Sequence, residues 1–322
     1  MTRNQRILLV VLAVQILLIV VVRMPMGERG VSAGPTPLIA GWDELVPTRV
    51  MFGGDDDAVQ LLRAGDGWQV EALDGFPADG AKLESLLTKI GALEVRRPLV
   101  RSARYHESFG VREQDAEARL RIWGDGNDDP AVDLLFGNPP NFGSIHLRQA
   151  DEDAVYEVRD LAAYDVSGPA GNWIDKDWLK IDSSDIDGLT VRNVSGSFTV
   201  VRGDEGWAVE EPAEFAGQPL GDDQLAGLLS DISGLRISDV AGRRDETLHG
   251  FATVGVQVDV RRRDSTDHRF TLLEIGLAVG DGNDRRFVGR DGEGFAGIAL
   301  ESSLQSILDL DLRAMMGASP PS

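Results

Sequence analysis

Hydrophobic residues recur at helical spacing in two widely separated segments of the chain. In each segment, leucine or isoleucine occupies positions i, i+3, i+4, i+7 and i+10, and the second segment follows the first by about 140 residues. This spacing places all five side chains on one face of an amphipathic helix. The pattern therefore predicts two equivalent helices, each packed on a core. The positions are Leu83, Leu86, Leu87, Ile90 and Leu93, then Leu225, Leu228, Leu229, Ile232 and Leu235.

Alternating apolar and polar residues before each helix predict a hairpin. The segment Arg63–Val70 has the pattern Arg-x4-Trp-x-Val, and the same pattern returns as Arg202–Val209. Glycine and aspartate between the alternating stretches supply the backbone conformations of a tight turn. Trp68 and Trp207 occupy the same place in the two hairpins, which indicates that both belong to the core.

Short strands are also expected after each helix. Alternation at 118–123 and at 254–260, with Gly/Asp turns between segments, favours antiparallel pairing. The expected fold class is α+β: two tandem copies of a mostly antiparallel sheet-plus-helix unit behind one N-terminal transmembrane helix. We place the first α+β repeat at 43–180, the second at 181–316 and a flexible tail at 317–322.

The N-terminus carries an apolar run with positive charges at both ends. Residues 7–22 are interrupted only by Gln15, with Arg6 before the run and Arg23 after it. As a helix the run spans about 24 Å, slightly less than the hydrocarbon core, and the flanking arginines extend it by snorkelling. A cleaved signal peptide is the competing interpretation, but its small-residue site would end at Ala33, far beyond the run. We therefore expect an uncleaved signal anchor.

The same charges set the expected topology. Positive residues before the run favour a cytoplasmic N-terminus. Residues 1–23 are then a cytoplasmic tail and a transmembrane helix in the inner (cytoplasmic) membrane, and 24–42 are a Gly/Pro-rich linker. The bulk of the chain is expected to be extracytoplasmic, in the periplasm.

Charge and cysteine content exclude several kinds of partner and site. Among 322 residues, 53 acidic and 32 basic side chains give a net charge of −21. Such a surface repels nucleic acid and anionic lipid, so we expect no nucleic-acid partner. The absence of cysteine excludes disulfides, thiolate metal sites and cysteine nucleophiles.

The repeated motifs resemble bacterial domain-of-unknown-function family 4340. The hairpin pattern, the Leu-x2-Leu-Leu-x2-Ile-x2-Leu helix and a phenylalanine beside a glycine after each helix (Phe109, Phe251) carry the resemblance. The Trp/Leu-rich segment Trp173–Asp182 between the copies is also similar. The resemblance implies an anchored protein, often encoded beside ABC-2-type permeases and the gliding-type auxiliary transport protein. It implies protein partners in a permease complex and offers no catalytic residues.

Two Gly/Asp-rich stretches, 124–129 and 280–284, invite a calcium interpretation. A calcium loop of the EF-hand type counted from Asp125 needs glycine at its sixth position and glutamate at its twelfth. Pro130 and Phe136 stand there instead, so turns are the better interpretation.

The remaining candidates for chemistry also have structural explanations. His106 and His249 occupy nearly matching places before the Phe/Gly turn, and neither they nor His146 and His268 show metal-ligand spacing. The chain has no Walker loop and no Gly-x-Gly-x-x-Gly that opens a helix. We expect no catalytic, cofactor-binding or metal-binding residues and no cofactor.

Three function classes follow from this sequence. The first is a non-enzymatic accessory protein of an ABC-2-type transport system, which an exposed apolar patch beside the tether would favour. The second is a solute- or glycan-binding module at the cleft between the repeats, which an aromatic-lined pocket with a few polar groups would favour. The third and weakest is a carboxylate-based cell-wall hydrolase, because carboxylate pairs leave no local spacing. Buried carboxylates with raised pKa would favour it.

Overall fold

The structure is a computed structural model that describes residues 34–54, 58–253, 255–263, 269–280, 282, 284–290 and 292–316. The expected transmembrane run at 7–22 and the tail at 317–322 lie outside these residues. Across the part of the chain that is described, no helix is long and apolar enough to cross a membrane. The described chain forms two large, mostly antiparallel sheets with few helices, which confirms the α+β class with two sheet units.

The first sheet has nine strands in the described residues. A small separate ladder pairs β1 (Thr36–Pro37) with β6 (Glu94–Val95) beside it. In space the sheet runs β5-β4-β3-β2-β8-β9-β10-β11-β7. Its strands are β2 (Pro47–Phe52), β3 (Val59–Ala64), β4 (Gly67–Val70), β5 (Phe76–Pro77), β7 (Val100–Arg101), β8 (Ala118–Gly124), β9 (Val132–Phe136), β10 (Ser144–Gln149) and β11 (Ala154–Arg159).

The second sheet repeats this topology strand for strand. Its spatial order is β15-β14-β13-β12-β17-β18-β19-β20-β16, so each strand occupies the place of its counterpart in the first sheet. Its strands are β12 (Ile186–Asn193), β13 (Gly196–Gly203), β14 (Gly206–Glu211), β15 (Pro219–Leu220), β16 (Asp239–Arg243), β17 (Val256–Arg262), β18 (Arg269–Ala278), β19 (Arg285–Gly289) and β20 (Phe295–Leu300).

One twelve-residue helix follows the fourth strand of each sheet, as the apolar spacing predicts. These helices are α1 (Gly80–Gly91) and α3 (Asp222–Ser233). The Asp79 carboxylate caps α1 by accepting the Lys82 backbone N–H at 2.9 Å. Three shorter helices complete the described set: α2 (His106–Phe109), α4 (Gln305–Leu308) and α5 (Leu312–Met315).

The predicted apolar helix faces are buried in the core with one exception. Leu229 is only half-buried, whereas the other nine positions of the two patterns are buried. Leu93 and Leu235 lie just beyond the ends of their helices and still contribute to the core. The i+10 position therefore lies in the turn that follows each helix, and not in the last helical turn.

The last part of the expected linker is attached to the first unit. Thr36 and Pro37 pair with Val95 and Glu94, and the backbone N–H of Leu38 donates to the Leu93 carbonyl at 2.8 Å. The Leu38 side chain is buried in the core. Residues 36–38 of the expected linker therefore contact the first unit.

The segment Trp173–Asp182 is hydrogen-bonded to both units. The Trp173 carbonyl accepts the backbone N–H of Asp79 at 2.8 Å, immediately before α1. Three residues later, the Lys176 carbonyl accepts the backbone N–H of Ile237 at 3.0 Å, on the second unit. The segment thus joins the two sheets through its own backbone.

Aromatic side chains fill the junction around this segment. Trp173 stacks on Phe52 of the first sheet with ring centroids 3.9 Å apart. Phe76 at the edge of the first sheet packs edge-to-face against Trp178 at 5.3 Å and against Phe295 of the second sheet at 5.1 Å. Contacts of this geometry add to the free energy gained by burying the rings.

Candidate functional site

The two tryptophan hairpins form equivalent, buried structures. Arg63 lies directly opposite Trp68 in the β3–β4 ladder, and Arg202 lies directly opposite Trp207 in the β13–β14 ladder. The guanidinium carbons lie 5.7 and 5.9 Å from the ring centroids, within reach of a cation–π interaction. Both tryptophans are core residues, as their repetition indicates. The other four, Trp42, Trp123, Trp173 and Trp178, are likewise buried or half-buried.

The glycines, and not the phenylalanines, are the equivalent residues of the turns that follow the two long helices. Gly110 and Gly250 both adopt left-handed conformations, with φ of +66° and +80°. The Phe109 carbonyl, just before Gly110, accepts the backbone N–H of Asn138 at 2.9 Å. The His249 carbonyl, just before Gly250, accepts the backbone N–H of Leu277 at 3.0 Å. Phe109 is therefore equivalent to His249, which corrects the sequence pairing of Phe109 with Phe251.

A histidine and a phenylalanine pack together in both units with their places exchanged, edge-to-face in the first and tilted in the second. Phe109 packs edge-to-face on His146 of β10 with ring centroids 4.7 Å apart. In the second unit His249 lies at the same centroid distance from Phe287 of β19, the counterpart of β10. Burial lowers the pKa of His146, while the nearby Glu157 carboxylate partly opposes this. His249 is buried and His146 is half-buried, and each packs its ring against a phenylalanine.

His106 also has a structural environment, whereas His268 lies outside the described residues. The His106 side chain is buried, and its Nε2 lies 3.1 Å from the Asp153 carbonyl. The expected structural use of His106 and His249 therefore fits their contacts, although the two histidines occupy different positions in the turn.

The two Gly/Asp-rich stretches connect strands at different places in the two sheets. Residues 124–129 connect β8 to β9, and the Trp123 Nε1–H donates to the Asp128 carbonyl at 3.0 Å. Residues 280–284 connect β18 to β19, the counterparts of β9 and β10, and residues 281 and 283 lie outside the described set. Among the residues that the structure describes, no three histidine, aspartate or glutamate side chains are grouped to hold a metal ion.

Asp175 at the junction is the carboxylic acid that best matches the hydrolase hypothesis. Burial raises its pKa, and the charges of Asp177 and Asp79 raise it further. Its carboxylate accepts the backbone N–H of Asp177 at 2.9 Å. The Asp177 carboxylate is itself paired with Arg236 at 2.8 Å and with Lys180 at 3.5 Å. The acidic run 55–57 lies outside the described residues.

An open, mostly apolar cavity of about 730 Å³ lies on the first unit, between the loop 139–145 and the segment 161–164. We refer to it as the aromatic cavity, because two exposed rings stand at its rim. Phe142 is fully exposed and Tyr164 is 80% exposed, which is unusual for large apolar side chains. Buried Leu161 forms part of its wall.

Turn geometry explains why Phe142 projects from the surface. Gly143 has φ of +79°, and its carbonyl accepts the backbone N–H of Asp160 at 3.2 Å. The Ser144 N–H donates to the Asn141 carbonyl at 3.3 Å, so the chain turns tightly around Phe142. The buried Ser144 hydroxyl lines the cavity and has no hydrogen-bond partner among the described residues.

A second cavity of about 610 Å³ lies where the described chain begins. Pro35 lines it on one side, and Arg96, Arg97 and Arg159 line it together with Glu94 and Glu157. Arg96 and Arg97 follow directly on β6, which pairs with β1, and Arg159 ends β11. We call this cavity the basic groove. Neither it nor the aromatic cavity lies between the two sheets, where the sequence placed a ligand cleft.

Comparison with known proteins decides the family. The family model described as "Domain of unknown function (DUF4340)" matches residues 68–254, which is more than half of the chain.

The chain belongs to this family. No curated protein and no solved structure is similar enough to this chain to count as a match.

The DUF4340 match includes most residues of both cavities. It starts at Trp68 in β4 and extends past β16 of the second sheet, so it contains the loops of the aromatic cavity and the arginines of the basic groove. Sequence reasoning missed both cavities because each is assembled from segments that are distant along the chain. The sequence does carry two signals: Phe142 between asparagine and glycine, and several arginines after β6 in an acidic chain.

Proposed function

We propose that this DUF4340 protein is a non-enzymatic, membrane-anchored accessory protein that works outside the cytoplasm. In this proposal one helix at 7–22 spans the inner membrane with its N-terminus in the cytoplasm. The two sheet units lie in the periplasm and serve as an auxiliary subunit of an ABC-2-type transport system. The repeat-based resemblance to a family often encoded beside such permeases motivates the choice of partner.

The observation that carries the proposal is the rim of the aromatic cavity. A partner that covers exposed aromatic side chains gains binding free energy, because their apolar surface is removed from water. Aromatic residues are accordingly enriched at the centres of protein interfaces. Phe142 and Tyr164 stand on either side of an apolar depression, which suits the insertion of an apolar side chain or a helix face. The surface that they form fits a protein partner with an exposed apolar segment, such as a periplasmic loop of a permease.

Site-specific crosslinking in native membranes tests this proposal. A photoreactive amino acid replaces Phe142 in the tagged full-length chain, and crosslinked proteins are identified after gentle detergent extraction. Val194 in the second unit is a matched control, because it is an apolar side chain that is 92% exposed on a turn. We expect a crosslink from position 142 to a membrane subunit of an ABC-2-type permease, and none from position 194.

Substitution of the rim supports the same test quantitatively. Phe142→Ser with Tyr164→Ser should reduce recovery of the permease subunit at least about tenfold, because loss of central aromatic contacts costs more than about 1.4 kcal/mol. Val194→Ser should leave the recovery unchanged. Equal recovery with both variants would contradict the assignment of the rim.

A second candidate function is a solute- or glycan-binding module, and the Ser144 hydroxyl favours it. This buried donor has no hydrogen-bond partner within the described part of the chain, and it lines the aromatic cavity with Asn141 and Glu117. Pockets for small molecules combine apolar walls with a few such polar groups. Native mass spectrometry of the gently extracted chain would then show a bound solute that Ser144→Ala weakens. A rim-dependent permease crosslink that Ser144→Ala leaves intact would favour the accessory role instead.

A further inference from the structure

We propose that the basic groove binds the phosphate headgroups of anionic phospholipids, so that the first unit rests against the membrane that anchors it. This inference rests on the proposed membrane anchor. It assigns a role to the edge of the first sheet at β7, which is distinct from the aromatic cavity.

The first observation is a local excess of positive charge. Residues 93–105 contain four arginines and one glutamate, a net charge of +3, in a chain whose net charge is −21. Arg159 on β11 adds a further positive charge to the same surface, where Glu94 and Glu157 are the nearby acids that line the groove. This surface therefore carries a positive charge although the chain as a whole is negative.

The second observation is that these arginines are available to a ligand. Arg96, Arg97 and Arg159 are exposed, and within the described part of the chain none of them forms an ion pair. Elsewhere in the first unit, Arg112 and Arg119 are paired with carboxylates at 2.5 and 2.7 Å. Guanidinium groups that are left unpaired in an acidic protein fit an anionic surface supplied from outside.

The third observation is the position of the groove relative to the tether. Pro35 lines the groove, and the Thr36 hydroxyl donates to the Val95 carbonyl at 3.3 Å, one residue before Arg96. Twelve residues separate the apolar run from Pro35 along the sequence, so the two points are no more than about 47 Å apart whatever the conformation between them. An anchor this close holds the groove at a high effective concentration near the headgroups.

The fourth observation is the type of apolar residue at this edge. Leu99 is 47% exposed and Tyr105 is 38% exposed, and both lie between or beside the arginines. The Arg104 guanidinium lies 4.5 Å from the centre of the Tyr105 ring. Tyrosine, leucine and arginine together are typical of protein surfaces that lie at the boundary between headgroups and acyl chains.

The test measures how close this edge lies to lipid headgroups in a bilayer of known composition. Because the chain has no cysteine, Ala103→Cys gives a single attachment point for a fluorophore at an exposed position between Arg101 and Arg104. The full-length protein is reconstituted into vesicles of phosphatidylcholine alone or with phosphatidylglycerol, each doped with headgroup-nitroxide lipid. Val194→Cys on the second unit is the matched control position.

We expect headgroup quenching at position 103 only in vesicles that contain phosphatidylglycerol, and none at position 194. Neutralising Arg96, Arg97, Arg101 and Arg159 to glutamine should abolish the quenching, since each arginine near an anionic surface changes binding about fivefold. Replacing the same four residues by lysine should preserve it, because the contact is electrostatic. Equal quenching in neutral vesicles, or in the glutamine variant, would overturn the proposal.

Flotation of the same vesicles separates this inference from the proposed anchor. A protein that floats with both vesicle types but shows no charge-dependent quenching is anchored, and the groove proposal fails. A protein that floats only with phosphatidylglycerol vesicles, and only at low salt, supports the groove and contradicts the anchor. If an acidic protein occupies the groove in the native complex and position 103 is not quenched there, the lipid assignment is likewise refuted.

Discussion

At equivalent positions in the two units, side-chain contacts are kept even where the residue types differ. The Phe109–His146 contact of the first unit becomes His249–Phe287 in the second, with the same distance between ring centroids. Such an exchange keeps the volume of the pair nearly constant, which is what a packed core requires. A histidine that can be exchanged with phenylalanine is used for its ring and not for its proton.

His146 should make the stability of the first unit depend on pH. Burial holds the pKa of His146 in the folded protein below its ordinary value of 6.5. The unfolded chain therefore binds a proton first as the pH falls through 6.5, and this linkage favours unfolding. We expect stability to be fully present above about pH 6.5 and to decrease below it, as measured by denaturant unfolding of the full chain from pH 7.5 to 5.

His146→Phe provides the control, because Phe287 occupies the equivalent position in the second unit. The variant should fold and should lose the part of the pH dependence that His146 contributes. An unchanged pH profile would show that His146 does not titrate differently in the folded and unfolded chains.

The leucines of the helix faces should be the most sensitive apolar positions. Leu86→Ala and Leu228→Ala each remove a buried side chain next to a sheet, so each should lower the free energy of unfolding by about 2–5 kcal/mol. Leu248→Ala is the matched control, because Leu248 is 68% exposed. Equal denaturant midpoints for the three variants would contradict the assignment of both faces to the core.

Local elements were predictable because their signals are local. The helices, the two tryptophan hairpins and the strands after each helix follow from periods of 3.6 and 2 residues over short segments. The order of strands was not predictable in the same way: Val50 pairs with Ile122 across 72 residues, and neither segment specifies the other. The cavities share this property, since their walls come from separate loops.

A glycine position in each sheet should tolerate no larger residue. A Cβ added at Gly137 or Gly276 would lie 2.1 or 2.0 Å from the Phe109 or His249 carbonyl oxygen, which is backbone and has little freedom to move. Gly137→Ala and Gly276→Ala should therefore lower the free energy of unfolding by roughly 1–3 kcal/mol or more, as overpacking does.

Gly227 is the matched control for this pair. It lies within helix α3, and a Cβ added there meets no atom within 4 Å. Gly227→Ala should raise the free energy of unfolding by about 0.5–1 kcal/mol, since glycine is a poor helix residue. Thermal unfolding of the three variants checks both directions, and a stable Gly276→Ala variant would show that the turn does not repeat as described.

Across the whole molecule, the two units pack against each other and are not independent domains on a flexible linker. Phe76, Trp178 and Phe295 pack in one aromatic row across the junction, and the Arg243 guanidinium donates to the Asp74 carbonyl at 2.7 Å. A surface built on either unit is therefore held in a defined position relative to the other. The aromatic cavity and the basic groove both lie on the first unit, so the junction holds the second unit in a defined position beside them.

The orientation of this scaffold in the membrane is the last prediction. The arginines before the apolar run at 7–22 favour a cytoplasmic N-terminus, and long acidic domains cross the membrane largely regardless of their charge. A reporter that is active only outside the cytoplasm, fused after Ser322, should therefore be active. It should remain with the membranes after a carbonate wash, because the small-residue site at Ala33 lies too far from the run for cleavage.

Deletion of residues 7–22 is the control for that experiment and should leave the reporter inactive. Release of a soluble protein shorter by 33 residues would show a cleaved signal peptide, and with it the loss of the anchor on which the lipid contact depends. An inactive reporter on the intact chain would place both sheets in the cytoplasm. The arginines of the basic groove would then face the cytoplasmic leaflet, and the aromatic cavity would require a partner on that side of the membrane.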